Sequence, residues 1–163
     1  MTDRPLTFIS NAPYPPLRNA WARLTETAKD LLVQRQQGYP VEVREGRMTQ
    51  AEAERGERIV KAIVAQWRTV MSAKPLPHLA DYAAELGAAP EEMRAELALI
   101  AARAAQRAAR APDDRKLLDL ARLTAALTWQ QTPCTDACAF PHIWQAADFA
   151  LYEASLPRRQ RAA

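Results

Sequence analysis

Apolar residues recur at three- and four-residue spacing along most of the chain, which is the period of an amphipathic helix. From Leu17 onward, Leu17, Trp21, Leu24, Ala28, Leu31 and Leu32 share one face. Arg18, Arg23, Glu26, Lys29 and Asp30 share the other, and Gly38-Tyr39-Pro40 is expected to end the helix. The following YPVEVREGRM alternates Val41 and Val43 over too short a span for a strand, so it reads as a connection of about ten residues. Thr49 and Glu52 have capping-box spacing and open a second helix, whose core face is Ile59, Ile63, Trp67 and Val70, widened by Val60, Val64 and Met71. Two amphipathic helices joined in this way should pack antiparallel.

KPLPH, residues 74–78, is a two-proline break and the best candidate boundary. Beyond it the pattern predicts a short helix from Leu79 to Leu86, stopped by Gly87. A long helix follows from Pro90 to about Arg110, burying Met93, Leu97, Ile100 or Ala101, Ala104 and Ala108. Pro112-Asp113-Asp114 restarts the chain into a helix presenting Leu117, Leu120, Ala121, Thr124, Leu127 and Thr128. A last helix, roughly His142 to Leu156, presents Ile143, Ala147, Ala150, Leu151 and Ala154. The expected fold is all-α with about six helices: a proline-containing extended arm (1–16), an antiparallel helical hairpin (17–73), a small helical bundle (74–157) and a basic tail (158–163). The pattern leaves open whether hairpin and bundle share one core.

Composition supports helix, since the 163 residues include only four glycines but 34 alanines. With 48% hydrophobic and 25% charged residues the chain falls among globular proteins. The net charge of +3 and pI near 9.1 invite a nucleic-acid reading. Arginine outnumbers lysine 18 to 4 beside abundant alanine, as a GC-rich genome would dictate whatever the function, and the small basic excess lies before Pro75. No apolar run approaches the roughly 20 residues of a membrane span, and the N-terminus lacks a secretory leader pattern, so a soluble cytoplasmic protein with no membrane partner is expected. The oligomeric state is not legible.

TPCTDACAFPH, residues 132–142, holds both cysteines and one of the two histidines. Cys134, Cys138 and His142 are spaced i, i+4, i+8, which permits a zinc site completed by His78, Asp136 or another acid. Pro141 argues against a continuous helix, and one cysteine pair supplies only half a typical site. A redox pair would space its thiols by two residues, and a thiol nucleophile with His142 or His78 as base has nothing to select it. A structural role for the stretch is the simpler reading.

Residues 79–97 resemble a helix-turn-helix, but the second helix opens with Glu91, Glu92 and Glu96, which phosphates would repel. Arg103, Arg107 and Arg110 lie on one helical face, and with Arg115, Lys116, Arg122 and the tail arginines Arg158, Arg159 and Arg161 they are the candidate nucleic-acid contacts. The four tryptophans read as core anchors, whereas Tyr14 and Tyr39 sit in proline-containing segments where aromatics contact partners. No phosphate-binding glycine loop, GxSxG, HExxH or paired-carboxylate motif occurs, so neither catalysis nor a cofactor is expected.

Arg35, Tyr39, Pro40, Val43, Gly46, Arg47, Met48, Thr49, Glu52 and Ala53, within residues 33–67, form a pattern that resembles a segment of uncharacterised small helical proteins of tailed phages and prophages. The resemblance implies a phage-derived bacterial gene and a helical hairpin, and carries no activity. The expected function is therefore binding without catalysis: docking on a host or phage protein through Tyr39, Arg44 and Arg47 at the hairpin tip and Tyr14 in the arm. Nucleic-acid binding and a zinc-stabilised fold are the alternatives.

Overall fold

A computed structural model describes residues 14–135 and 138–157 and, among them, bears out the all-helical expectation. The α-helices are α1 (Trp21–Arg44), α2 (Gln50–Met71), α3 (Tyr82–Glu85), α4 (Pro90–Arg110), α5 (Arg115–Gln131) and α6 (Ile143–Ser155). A 3-10 turn, Leu79–Asp81, leads into α3. The arm's residues 1–13, Asp136 and the tail with Arg158, Arg159 and Arg161 lie outside the described residues, as does the side chain of Cys138.

The first helix departs from expectation at both ends. It begins at Trp21, after a turn in which Leu17 has φ 65°, and it runs through Gly38-Tyr39-Pro40 to Arg44. Proline removes one helical amide bond, but here only a single turn remains and the true stop is stronger. Gly46, at φ 71°, takes the left-handed position, with its amide on Val43 O at 3.1 Å and the Arg47 amide on Glu42 O at 2.9 Å. These two bonds satisfy the terminal carbonyls of the helix in a Schellman arrangement. The connection shrinks to residues 45–49, and Val41 and Val43 belong to the helix.

α2 begins as expected, with the Glu52 amide on Thr49 Oγ1 and the Thr49 amide on the Glu52 carboxylate at 2.8 Å. Ile59, Val60, Ile63, Val64, Trp67 and Val70 are buried, whereas Met71 is exposed. The helix ends in the same Schellman pattern as α1, but with Ala73 in the left-handed position at φ 50°.

α4 buries Met93, Leu97, Ile100, Ala104 and Ala108, with Ile100 rather than Ala101 on the core face. α5 is rotated from expectation. Its buried residues are Leu123, Thr124, Ala126, Leu127, Gln130 and Gln131, while Leu117, Leu120 and Ala121 are half-buried. The cysteine stretch forms a short antiparallel hairpin, β1 (Pro133–Thr135) with β2 (Cys138–Pro141), registered Pro133 to Pro141 and Thr135 to Cys138. In α6 the buried residues are Ile143, Ala146 and Ala147, while Ala154 is exposed.

One hydrophobic cluster takes Leu24 from α1, Ile63 and Trp67 from α2, Leu97 from α4, Leu127 from α5 and Ile143 from α6. Leu76, inside the two-proline break, is also buried in it. A polar chain threads this core: Gln131 Nε2 donates to Gln66 Oε1 at 2.6 Å, and Gln66 Nε2 donates to Tyr82 Oη at 3.1 Å. Trp144 Nε1 donates to the same hydroxyl at 3.0 Å.

A non-glycine left-handed residue is strained by about 1 kcal/mol. Ala73→Gly should therefore raise stability by about 0.5 kcal/mol after the added unfolded-state entropy is counted, read as a higher urea midpoint. A lower midpoint would show that Ala73 is held by something other than its backbone angle.

Candidate functional site

The α1–α2 connection exposes Arg44, Glu45, Gly46 and Arg47, and Arg47 pairs with Glu45. Tyr39 is absent from that tip, contrary to expectation, because the helix carries it one turn back. There its ring lies over Gly56 of α2, where a Cβ would stand 2.6 Å from Tyr39 Oη and 3.0 Å from Cε2. The Arg35 guanidinium sits 5.8 Å from the Tyr39 ring centroid and donates to Glu96 Oε1 of α4 at 2.7 Å. Burial raises the Tyr39 phenol above its usual range, so the group stays neutral at neutral pH. Its position is a packing position that ties α1 to α2.

The helix-turn-helix resemblance dissolves in the same region. Its first helix is only a 3-10 turn plus α3, with the amide of Ala80 bonded to His78 Nδ1 at 3.3 Å. Two of its three acids are also committed to the hairpin: Glu96 to Arg35, and Glu92 to Arg58 at 2.7 Å and to Arg55 at 3.7 Å. Glu92 additionally accepts the Ala89 amide at 3.1 Å, capping its own helix. The Arg58 hydrogen bond, then that amide, hold its carboxyl down to about 2. This corner is a brace between α2 and α4.

In the cysteine hairpin Cys134 is buried and accepts from Gln145 Nε2 at 3.5 Å. His142 is buried, stacks on Trp129 at 3.7 Å between ring centroids, and places Nδ1 3.0 Å from Trp129 O. A carbonyl only accepts, so Nδ1 carries the proton, and burial pushes the imidazole pKa down so that the ring is neutral. Among the described residues no three of His, Cys, Asp and Glu gather to hold a metal ion.

Two surface features remain. The first is a set of exposed aromatics, Phe149 and Tyr152 on α6, Phe140 on β2 and Tyr14 in the arm. Three of them each touch a different tryptophan: Tyr14 lies 5.8 Å from Trp129, Phe140 4.8 Å from Trp144, and Phe149 5.5 Å from Trp21. The Arg18 guanidinium lies 4.7 Å from the Tyr14 ring centroid. With the buried side of α6 fixed by Ile143, Ala146 and Ala147, Phe149 and Tyr152 are left exposed on this helix, whereas Trp144 is half-buried against the core. Only Tyr14 of this group was singled out from sequence. The second is the arginine row of α4, in which Arg103, Arg107 and Arg110 are all exposed.

A groove of about 350 Å³ lies between the 3-10 turn, the start of α4 and the β-hairpin, lined among others by Leu79, Ala83, Pro90, Glu91, Arg94 and Gln131. No helix of the described residues is long and apolar enough to cross a membrane. Comparison with protein-family models, curated proteins and solved structures finds no match to this chain.

Gly56→Ala should destabilise the wild-type protein despite alanine's helix advantage, because the new methyl meets the Tyr39 ring. With Tyr39→Ala already present, the same change should stabilise by about 0.5–1 kcal/mol. Equal effects in both backgrounds, measured by urea unfolding, would remove the proposed contact. A second test uses acid. A carboxyl held at about 2 against a usual 4.5 stabilises the fold above pH 4.5 and loses that contribution as pH falls toward 2. Glu92→Gln should lower the urea midpoint at neutral pH and flatten its decline across that window.

Proposed function

We propose that this protein works by docking onto a protein partner, of host or phage origin, and carries out no reaction of its own. The observation that supports the reading most is the uncovered aromatic side of α6. Nine of the thirteen residues of α6 are apolar, a composition that calls for burial on most sides, yet Phe149 and Tyr152 are 46% and 45% exposed. Aromatic side chains grouped in this way are the usual anchors of protein interfaces. Tyr14 and Phe140, both exposed, stay in the proposed surface.

The hairpin tip is a weaker surface than its sequence suggests. Tyr39 is turned to packing, and Arg47 is already neutralised by Glu45. A binding role without chemistry fits the two histidines, which are engaged elsewhere: His142 in a stack and a carbonyl hydrogen bond, His78 in capping a turn. The phage-like pattern of residues 33–67 fits a small accessory protein of this kind.

Phe149→Ser with Tyr152→Ser should leave the far-UV helix signal intact. It should weaken capture of the co-purifying partner from the native host at least tenfold, the loss expected for two anchor aromatics. Arg44→Ala with Arg47→Ala should weaken it less. Capture unchanged by the α6 pair would overturn the reading.

A further inference from the structure

Charge is unevenly spread along the chain: residues 1–74 carry 12 basic and 8 acidic side chains, 75–102 one basic and five acidic, and 103–122 six basic, Arg103, Arg107, Arg110, Arg115, Lys116 and Arg122, against three acidic. All six cations are exposed, and among the described residues none of them is in an ion pair. The acids beside them are largely committed: Asp114 accepts the Lys116 and Leu117 amides as the cap of α5, and Asp119 is held by Arg23. Several cations elsewhere differ, with Arg35, Arg58 and Lys61 each held by a carboxylate.

We infer that the α4–α5 corner is a binding surface for the phosphate backbone of nucleic acid, independent of the aromatic surface of α6. Spacings of four and three place Arg103, Arg107 and Arg110 in one row, about 10 Å long at the helical rise, and Arg115 stands just across the turn. Guanidinium groups match phosphate oxygens in a two-pronged geometry that an ammonium does not provide. The side chains between the arginines are alanines and Gln106, so the helix can approach a strand closely. A charged lipid surface fits less well. The row from Arg103 to Arg110 has no aromatic or large aliphatic side chain to enter acyl chains, and Leu99 stands outside it. Contacts of this kind go to phosphate oxygens and carry no sequence information.

The test is fluorescence anisotropy of the full chain with a labelled DNA duplex of about 20 base pairs, and in parallel a single-stranded RNA of similar length, over a range of salt. Binding is expected at low salt, with affinity falling by a logarithmic slope of about 0.9 for each phosphate neutralised on duplex DNA. Arg103→Gln, Arg107→Gln and Arg110→Gln together should weaken binding at least tenfold and reduce that slope by about 2–3. Arg44→Gln, Arg68→Gln and Arg94→Gln remove the same charge elsewhere and should keep most of both. Relative affinity for the two probes assigns the source of phosphate. No binding at low salt, equal losses in the two triple variants, or binding to phosphatidylserine vesicles without binding to either nucleic acid would overturn the inference.

Discussion

The architecture depends on four polar side chains sharing hydrogen bonds where water does not reach. Gln66 and Tyr82 are fully buried and Gln131 nearly so, and each unpaired donor or acceptor there would cost about 1–3 kcal/mol. The chain from Gln131 through Gln66 to Tyr82, with Trp144 donating to the same hydroxyl, satisfies them only when α2, α3, α5 and α6 hold one mutual arrangement. Apolar packing alone tolerates a slip of one helix along another at modest cost. A directional chain of hydrogen bonds does not, so it fixes the register in which the C-terminal helices meet the hairpin. It also positions α6, since Trp144 is held by the core through its indole nitrogen while the rest of the helix's outer side stays uncovered.

The same buried amides explain where the sequence misleads. Helices α2 and α4 were legible almost residue by residue, because apart from Gln66 their buried positions are apolar or glycine, and their starts carry a capping box and a proline. α5 was read a fraction of a turn off because two buried residues near its end are glutamines, which periodicity counts as surface. Gln130 Nε2 bonds Arg18 O at 2.7 Å and Gln131 bonds Gln66, so both are interior for reasons of hydrogen bonding. At the end of α1 the local rule for Gly-Tyr-Pro lost to tertiary structure. Continuing the helix puts Tyr39 onto Gly56 and leaves Gly46, seven residues on, to supply the left-handed stop. The β-hairpin was missed because three or four residues per strand, two of them prolines, give no alternating signal.

The candidate surfaces were less legible than the fold. Aromatic residues at helical spacing read as core from sequence, and the distinction between Trp67, which is fully buried, and Phe149, which is not, depends on which side of α6 the core takes. Tyr14 was identifiable because prolines around it exclude a helix. The arginine row was visible as a spacing, but comparing charge between the two halves hid its weight. The N-terminal half has the basic excess on paper, and many of those cations are spent in ion pairs. What matters to an approaching polyanion is the charge left unpaired, and that is concentrated at the α4–α5 corner.

Pairing therefore divides the surface by charge. Acids of α4 close to its start are drawn inward by Arg35 and Arg58, which braces the bundle on the hairpin and leaves the other end of α4 without carboxylates. The helix thus has an acidic, structurally committed beginning and a basic, solvent-facing end, an order that also complements its own dipole. The arginine row lies at the end of α4 away from that brace, and Trp144 ties α6 to the core through the Tyr82 hydroxyl. Two surfaces of opposite character, one apolar and one cationic, are thus held on a single core by the same polar contacts that make the fold unique.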